Sequence, residues 1–179
     1  MDKKNKMNLT LLEQQEIKDF NITLSIMKEI FNKYNAKIKM IPMPTYYHID
    51  ARMTVMKNNK SKNYVIEIKE RNFNGKLEYL PMKCKKYINV MKQVKNGETP
   101  LAVYLVNDKD FYIYDLSKLD MNKVKMDNWK IPKVNFCDNT EYEETPCFFF
   151  PIEQTIYKGE IKKEYANHQQ ETCSSGEIK

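Results

Sequence analysis

Apolar residues recur at Ile17, Phe20, Leu24, Met27, Phe31 and Tyr34, in steps of three and four. That period predicts an amphipathic helix of several turns, ending near Asn35. Just upstream, Thr10-Leu-Leu-Glu13 reads as a capping box, a hydroxyl at the cap and a carboxylate three residues on. Pro42 and Pro44 forbid continued helix. From residue 46 the period drops to two. Over 46–57, Tyr47, Ile49, Ala51, Met53 and Val55 fall on one face of a strand, and His48, Asp50, Arg52 and Thr54 on the other. Over 63–69, Tyr64, Ile66 and Ile68 point one way, and Val65, Glu67 and Lys69 the other. Between the two runs, Lys57-Asn-Asn-Lys60 reads as a tight hairpin turn, because asparagine tolerates positive φ. A shorter strand around Ala36–Ile41 precedes this hairpin.

A polar link, Arg71–Gly75, leads to a second helical stretch in which Pro81 suits the first turn. Leu80, Cys84, Tyr87, Met91 and Val94 form its expected buried stripe, with Lys83, Lys85, Lys86, Lys92 and Lys95 largely off it. Gly97 and Pro100 end it. Leu101–Val106 and Phe111–Leu116 read as two strands around the turn Asn107–Asp110. The order helix, three strands, helix, two strands predicts an α/β fold. Residues 117–159 are less patterned. Trp129 and the run Cys147–Phe150 must bury, so this extension is expected to pack on the same domain. Asp138–Glu144 reads as an acidic loop. From about Glu160 the chain is polar, which predicts a disordered tail over 160–179 and a single domain over 1–159, with its core at about 10–116.

Composition narrows the class without naming a function. The chain has 179 residues, 41% hydrophobic and 30% charged, enough for a buried core without disulfides. No apolar run is long enough to span a membrane, and the basic start, Met1–Met7, has no apolar stretch behind it, so a cytoplasmic protein is expected. Cys84, Cys137, Cys147 and Cys173 form no paired zinc motif and read as reduced thiols. The net charge of +6 permits nucleic-acid binding, but a Lys- and Asn-rich composition of low-GC character raises lysine on its own. The arginines are only Arg52 and Arg71. No Gly-rich phosphate loop or nucleophile elbow is present.

The hairpin brings chemistry together. A two-residue turn at Asn58-Asn59 pairs Lys57 with Lys60 and, counted outward, Asp50 with Glu67, their Cβ atoms roughly 5 Å apart. A longer loop through Lys62 would shift this register. Lys69 shares the face. Two carboxylates so close repel unless a positive charge lies between them. Mg²⁺ suits the gap, since it takes one or two carboxylates plus water and phosphate oxygens. The backbone carbonyl of Ile68 is a further candidate ligand. The neighbouring lysine can orient or deprotonate water and stabilise developing charge, which is the equipment for phosphodiester hydrolysis. The competing arrangement is a solvated strand face with Arg52 pairing diagonally to Asp50; directly opposed like charges destabilise such a face. His48 shares the Asp50 face and, with Arg52, is a candidate nucleic-acid contact.

Asp50 followed on the next strand by Val65-Ile-Glu67-Ile-Lys69 resembles the PD-(D/E)XK nuclease superfamily, whose members include restriction endonucleases, recombination exonucleases and Holliday-junction resolvases. The resemblance covers roughly residues 10–116. Ile49 stands where the family's proline often precedes the first acid. The resemblance implies a restriction-endonuclease-like αβββαβ core, a mixed central sheet flanked by helices, with a β-containing C-terminal extension. It implies Asp50, Glu67 and Lys69 as catalytic residues of a Mg²⁺-dependent nuclease, with Mn²⁺ substituting and DNA as substrate. RNA is served by the same chemistry. Two weaker transfers follow: Glu29, or Glu16, on the first helix as a further metal ligand, and Lys83, Lys86 or Tyr79 near the site as substrate contacts. Many nucleases of this fold act as homodimers; the resemblance implies a role in DNA processing, recombination or restriction, and the low-GC composition fits a bacterial or phage source. The alternative is a nuclease-like module that binds nucleic acid or assembles with partners without cutting.

Overall fold

The capping box forms as expected at the start of α1 (Leu11–Asn32). Glu13 N–H donates to Thr10 Oγ1 at 3.2 Å, and Thr10 N–H donates back to Glu13 Oε2 at 2.8 Å. The computed structural model describes residues 10–44, 47–132 and 142–167. Asn35, at φ 53°, carries the chain out of the helix in the left-handed region. The buried stripe is rotated from the expected one. Ile22, Ile26, Met27 and Ile30 are buried, whereas Ile17 and Tyr34 are exposed.

Six strands form the central sheet, in the order β1 (Lys37–Pro42), β2 (Ala51–Lys57), β3 (Lys60–Arg71), β5 (Thr99–Val106), β6 (Asp110–Asp115) and β9 (Tyr157–Glu160). β3 and β5 run parallel and every other pair is antiparallel, so the sheet is mixed. The β2–β3 register is the one the turn predicts: Asn58 and Asn59 sit at φ 50° and 58°, and Lys57 pairs with Lys60. Asn107 and Asp108 repeat the device between β5 and β6, at φ 53° and 52°.

Two expectations fail around the second helix. Pro81 lies not in a helical first turn but in a strand, β4 (Tyr79–Lys83), and α2 (Cys84–Gln93) begins after it. β4 is the edge of a second sheet, ordered β4, β8 (Tyr142–Pro151), β7 (Lys125–Pro132). An edge strand tolerates a residue without an N–H. Leu80 is therefore a strand residue, and Val90 is the buried residue of α2. Residues 142–144 of the expected acidic loop belong to β8, while 138–141 lie outside the described residues.

The central sheet buries both faces. On one, Ile22, Ile26, Met27 and Ile30 of α1 pack on Met53, Ile66, Ile68 and Val103. On the other, Val65, Ala102, Tyr104 and Tyr114 pack against Leu80, Met82 and Phe150 of the second sheet and Val90 of α2. Of the Cys147–Phe150 run expected to bury, Cys147 and Phe150 are fully enclosed, whereas Phe148 and Phe149, like Trp129, are only half-buried. The expected tail is ordered as far as residue 167: Ile161 N–H donates to the Lys109 carbonyl at 2.6 Å, and Tyr165 is buried against α1. Tyr165 is the one large apolar ring in a polar stretch, and it docks the segment. Residues 168–179 lie outside the described residues. Among those described, no helix is long and apolar enough to cross a membrane.

Ile26 sits at the centre of the α1 contact, 1% exposed. Ile26→Ala is expected to lower unfolding stability by about 2–5 kcal/mol, through lost burial and an unfilled cavity. Urea denaturation measures this, and an unchanged midpoint would show that α1 does not pack there.

Candidate active site

Glu67 lies on β3, a strand paired on both sides, with its side chain 0% exposed. Alternation places it with Val65 on the face covered by α2. Each carboxylate oxygen meets a lysine: Oε1 contacts Lys69 Nζ, and Oε2 lies 2.9 Å from Lys86 Nζ of α2. Neither approach has hydrogen-bond direction, so both buried oxygens lack a directional donor. Burial pushes the Glu67 carboxyl above its ordinary range and the Asp50 charge adds to this, while Lys69 and Lys86 pull the other way.

Asp50 reaches the same place by a route the hairpin alone does not give. The strand expected over 46–57 begins only at Ala51, and residues 47–50 bend. Asp50 therefore leaves the ladder one rung before its expected pairing with Glu67. Its carbonyl accepts Met43 N–H at 2.9 Å, and its own N–H donates to the Ile66 carbonyl at 3.0 Å. Its Oδ2 accepts Ile68 N–H at 2.6 Å. Asp50 thus brackets Glu67 through the two residues beside it. Because β2 has stopped, the N–H of Ile68 has no strand partner on that side, and the carboxylate satisfies it. The Ile68 carbonyl accepts Lys69 Nζ at 3.2 Å. Asp50, Glu67, Lys69 and the Ile68 backbone therefore converge.

The remaining candidates separate. Lys86 joins the site as the second cation on Glu67. Lys83, at the cap of α2, pairs with Glu143 at 2.8 Å. Arg52 does not turn to Asp50. Its Nη1 pairs with Glu98 and its Nη2 donates to the Gln93 carbonyl at 3.1 Å, so it fastens the end of α2 to β2. His48 is exposed, its ring 6.2 Å from that of Tyr47. Tyr79 lies in β4 under Lys125 Nζ, 4.0 Å from the ring centroid. Glu29 belongs to α1, which covers the opposite face of the sheet, and it engages Lys162, Tyr165 and Lys33. Lys162 and Tyr165 hold its carboxyl well below the usual carboxylate range. Glu29 is thus a tie for the C-terminal segment, not a neighbour of Glu67; Glu16 lies on the same helix. Among the described residues, no group of three or more His, Cys, Asp or Glu is placed to hold a metal ion. Arg71, expected to open a polar link, instead ends β3, where the period of two puts it on the face of Glu67 and Lys69.

Glu67 gives a pH signature. Its carboxyl holds a proton more tightly in the folded chain than in the unfolded one. The stability this contributes is fully present below the ordinary carboxylate value of 4.5 and is lost as pH rises through the folded value. Glu67→Gln, a neutral isostere, is expected to melt above wild type near pH 8 and level with it near pH 4, both in EDTA. Thermal melts at the two pH values check this. A lower melting temperature near pH 8 would show that the two lysines outweigh burial.

No protein-family model matches the chain, and no curated protein shows significant similarity to it.

Proposed function

We propose that the Asp50–Glu67–Lys69 cluster makes this protein a metal-dependent nuclease that hydrolyses phosphodiester bonds of DNA. The observation that carries the reading is the convergence of an aspartate, a glutamate and a lysine around the Ile68 backbone, where β2 begins. The element order supports a restriction-endonuclease-like core, with β4 inserted ahead of α2.

The residues fit a hard divalent cation. Glu67 presents two buried oxygens without directional donors, Asp50 lies beside it, and the Ile68 carbonyl faces the same region. Asp50, Glu67 and that carbonyl would hold Mg²⁺ or Mn²⁺, which takes such a set with water and phosphate completing it. The cation would supply Lewis-acid charge to the phosphate and acidify water. Lys69, 21% exposed, keeps its ammonium at the edge of the site, where it can stabilise charge on a phosphate oxygen. Lys86 offers a second cation from α2.

A second reading has its own support, and on the metal question the stronger one. No cluster of three or more ligating side chains stands among the described residues, and the charge of Glu67 is already met by two lysines. On that reading the protein is a nuclease-like module that binds nucleic acid or assembles with a partner without cutting.

Incubation of labelled DNA with the full chain and Mg²⁺ or Mn²⁺ separates the two. Cleavage is expected. It should fall at least about a hundred-fold in Asp50→Asn, Glu67→Gln and Lys69→Met, and hold in His48→Ala and Glu29→Ala. Asparagine retains an acceptor for Ile68 N–H, so the first variant tests charge without opening the ladder. Equal cleavage by all three variants would sink the site. Calorimetry showing no divalent-cation binding, with DNA affinity intact, would establish the non-cutting module instead.

A further inference from the structure

Beyond Glu67 and Lys69, the same face of β3 carries Arg71. Its register partner on β5 is Val106, two rungs past the Lys69–Tyr104 pair. Its charge is felt at Tyr104 and Cys147, both buried on the side of the sheet that holds the site. The nearby lysines are committed, Lys69 and Lys86 to Glu67 and Lys83 to Glu143. Among the described residues, Arg71 has no acid at ion-pair distance. Its Nη1 donates to the Glu70 carbonyl at 2.7 Å, which leaves most of the guanidinium fork uncommitted.

Two residues further, Phe73 leaves the strand and its backbone is clamped. Phe73 N–H donates to Asn107 Oδ1 at 2.7 Å, and Asn107 Nδ2 donates to the Phe73 carbonyl at 3.0 Å. The Phe73 ring lies 6.0 Å from Trp129, and Trp129 stacks on Phe149 at 5.3 Å with an interplanar angle of 21°. All three rings are half-buried, in contrast to the enclosed Phe150 one residue past Phe149. A fixed, partly exposed aromatic group thus follows directly on an arginine without an acid, in line with the site.

We infer that this row is a path for single-stranded DNA. Arg71 holds a backbone phosphate, and the Phe73–Trp129–Phe149 group stacks an unpaired base further along the chain from Glu67 and Lys69, past the end of β3. The inference rests on reading that site as one that acts on DNA, and it sets the substrate class as unpaired or flapped strands. Bases of a duplex are stacked on one another and offer no free face, whereas an unpaired base does. β7 carries Asp127 beside Lys125 and Lys130, and β8 carries Glu144, so general attraction of the backbone is weak there and stacking sets the preference.

The chain has a single tryptophan, so its fluorescence reports this platform alone. The full chain is titrated in EDTA with oligothymidine and with a blunt duplex of equal length. Oligothymidine is expected to quench Trp129 and to bind about ten-fold or more tightly than the duplex. By anisotropy of a labelled oligothymidine, Trp129→Ala should weaken binding about ten-fold or more, and Trp129→Phe should retain most of it. Arg71→Ala should weaken it several-fold, with Arg71→Lys partly restoring it; circular dichroism confirms that each variant folds. Absence of quenching, or equal affinity for the duplex, overturns the inference. Cation-dependent cutting without quenching would remove this inference alone. Quenching without cutting would leave it standing and remove the hydrolytic reading.

Discussion

A carboxylate without exposure, on a strand paired along both edges, is the constraint around which this structure is arranged. β3 lies between β2 and β5 and buries aliphatic side chains on both of its faces. A charge there loses its hydration, and an isolated one would be untenable. The surroundings answer in two ways. Two ammonium groups, one from the same strand and one from α2, meet the two oxygens. In addition, β2 stops one residue short, so that Asp50 and the Ile68 backbone open the ladder beside Glu67. The lysines lower the cost of the charge but do not satisfy its oxygens with direction. A core built only for stability would hold an apolar residue at this position. Burial pushes this acid towards its neutral form, which is what singles it out as a candidate for chemistry.

Local signals were legible wherever local physics decides. Thr10 and Glu13 announce the helix start because both partners of the cap lie within one turn. Asn58-Asn59 sets the hairpin register because two consecutive residues with positive φ leave the flanking strands one pairing. That register carries the chain towards Glu67, and Asp50 covers the last step by leaving the ladder and accepting Ile68 N–H. The illegible parts depend on distant partners. Pro81 looked like a helix start, yet Tyr79–Lys83 pairs with β8, a strand far along the chain, and only that pairing makes an edge strand of it. Asp50 leaves its expected pairing with Glu67 on the β3 side, its N–H donating to the Ile66 carbonyl, while its own carbonyl still accepts Met43 N–H in register with β1. Arg52 is a candidate by the strand face it shares with Asp50, and Glu29 by what the resemblance implies for the first helix; Glu98 and Lys162, both remote in sequence, claim them instead. Tyr165 likewise docks a segment whose polar composition pointed to disorder.

The second sheet covers the face of the central sheet that carries Glu67. Without it, the face of the central sheet that carries Val65, Tyr104 and Tyr114 would have only a short helix to cover it. β4 and β8 supply Leu80, Met82 and Phe150 to that face, and Tyr104 anchors the junction by donating its hydroxyl to the Pro81 carbonyl at 3.1 Å. β4 runs straight into α2, so fixing the strand also fixes the start of the helix that carries Lys86. Arg52 and Glu98 fasten the other end of that helix. Lys86 therefore meets Glu67 from a helix held at both ends, and the order of that helix follows from pairing with residues some sixty positions later, as the Lys83–Glu143 contact between the same elements attests. The site depends on the C-terminal extension as much as on the hairpin that first suggested it.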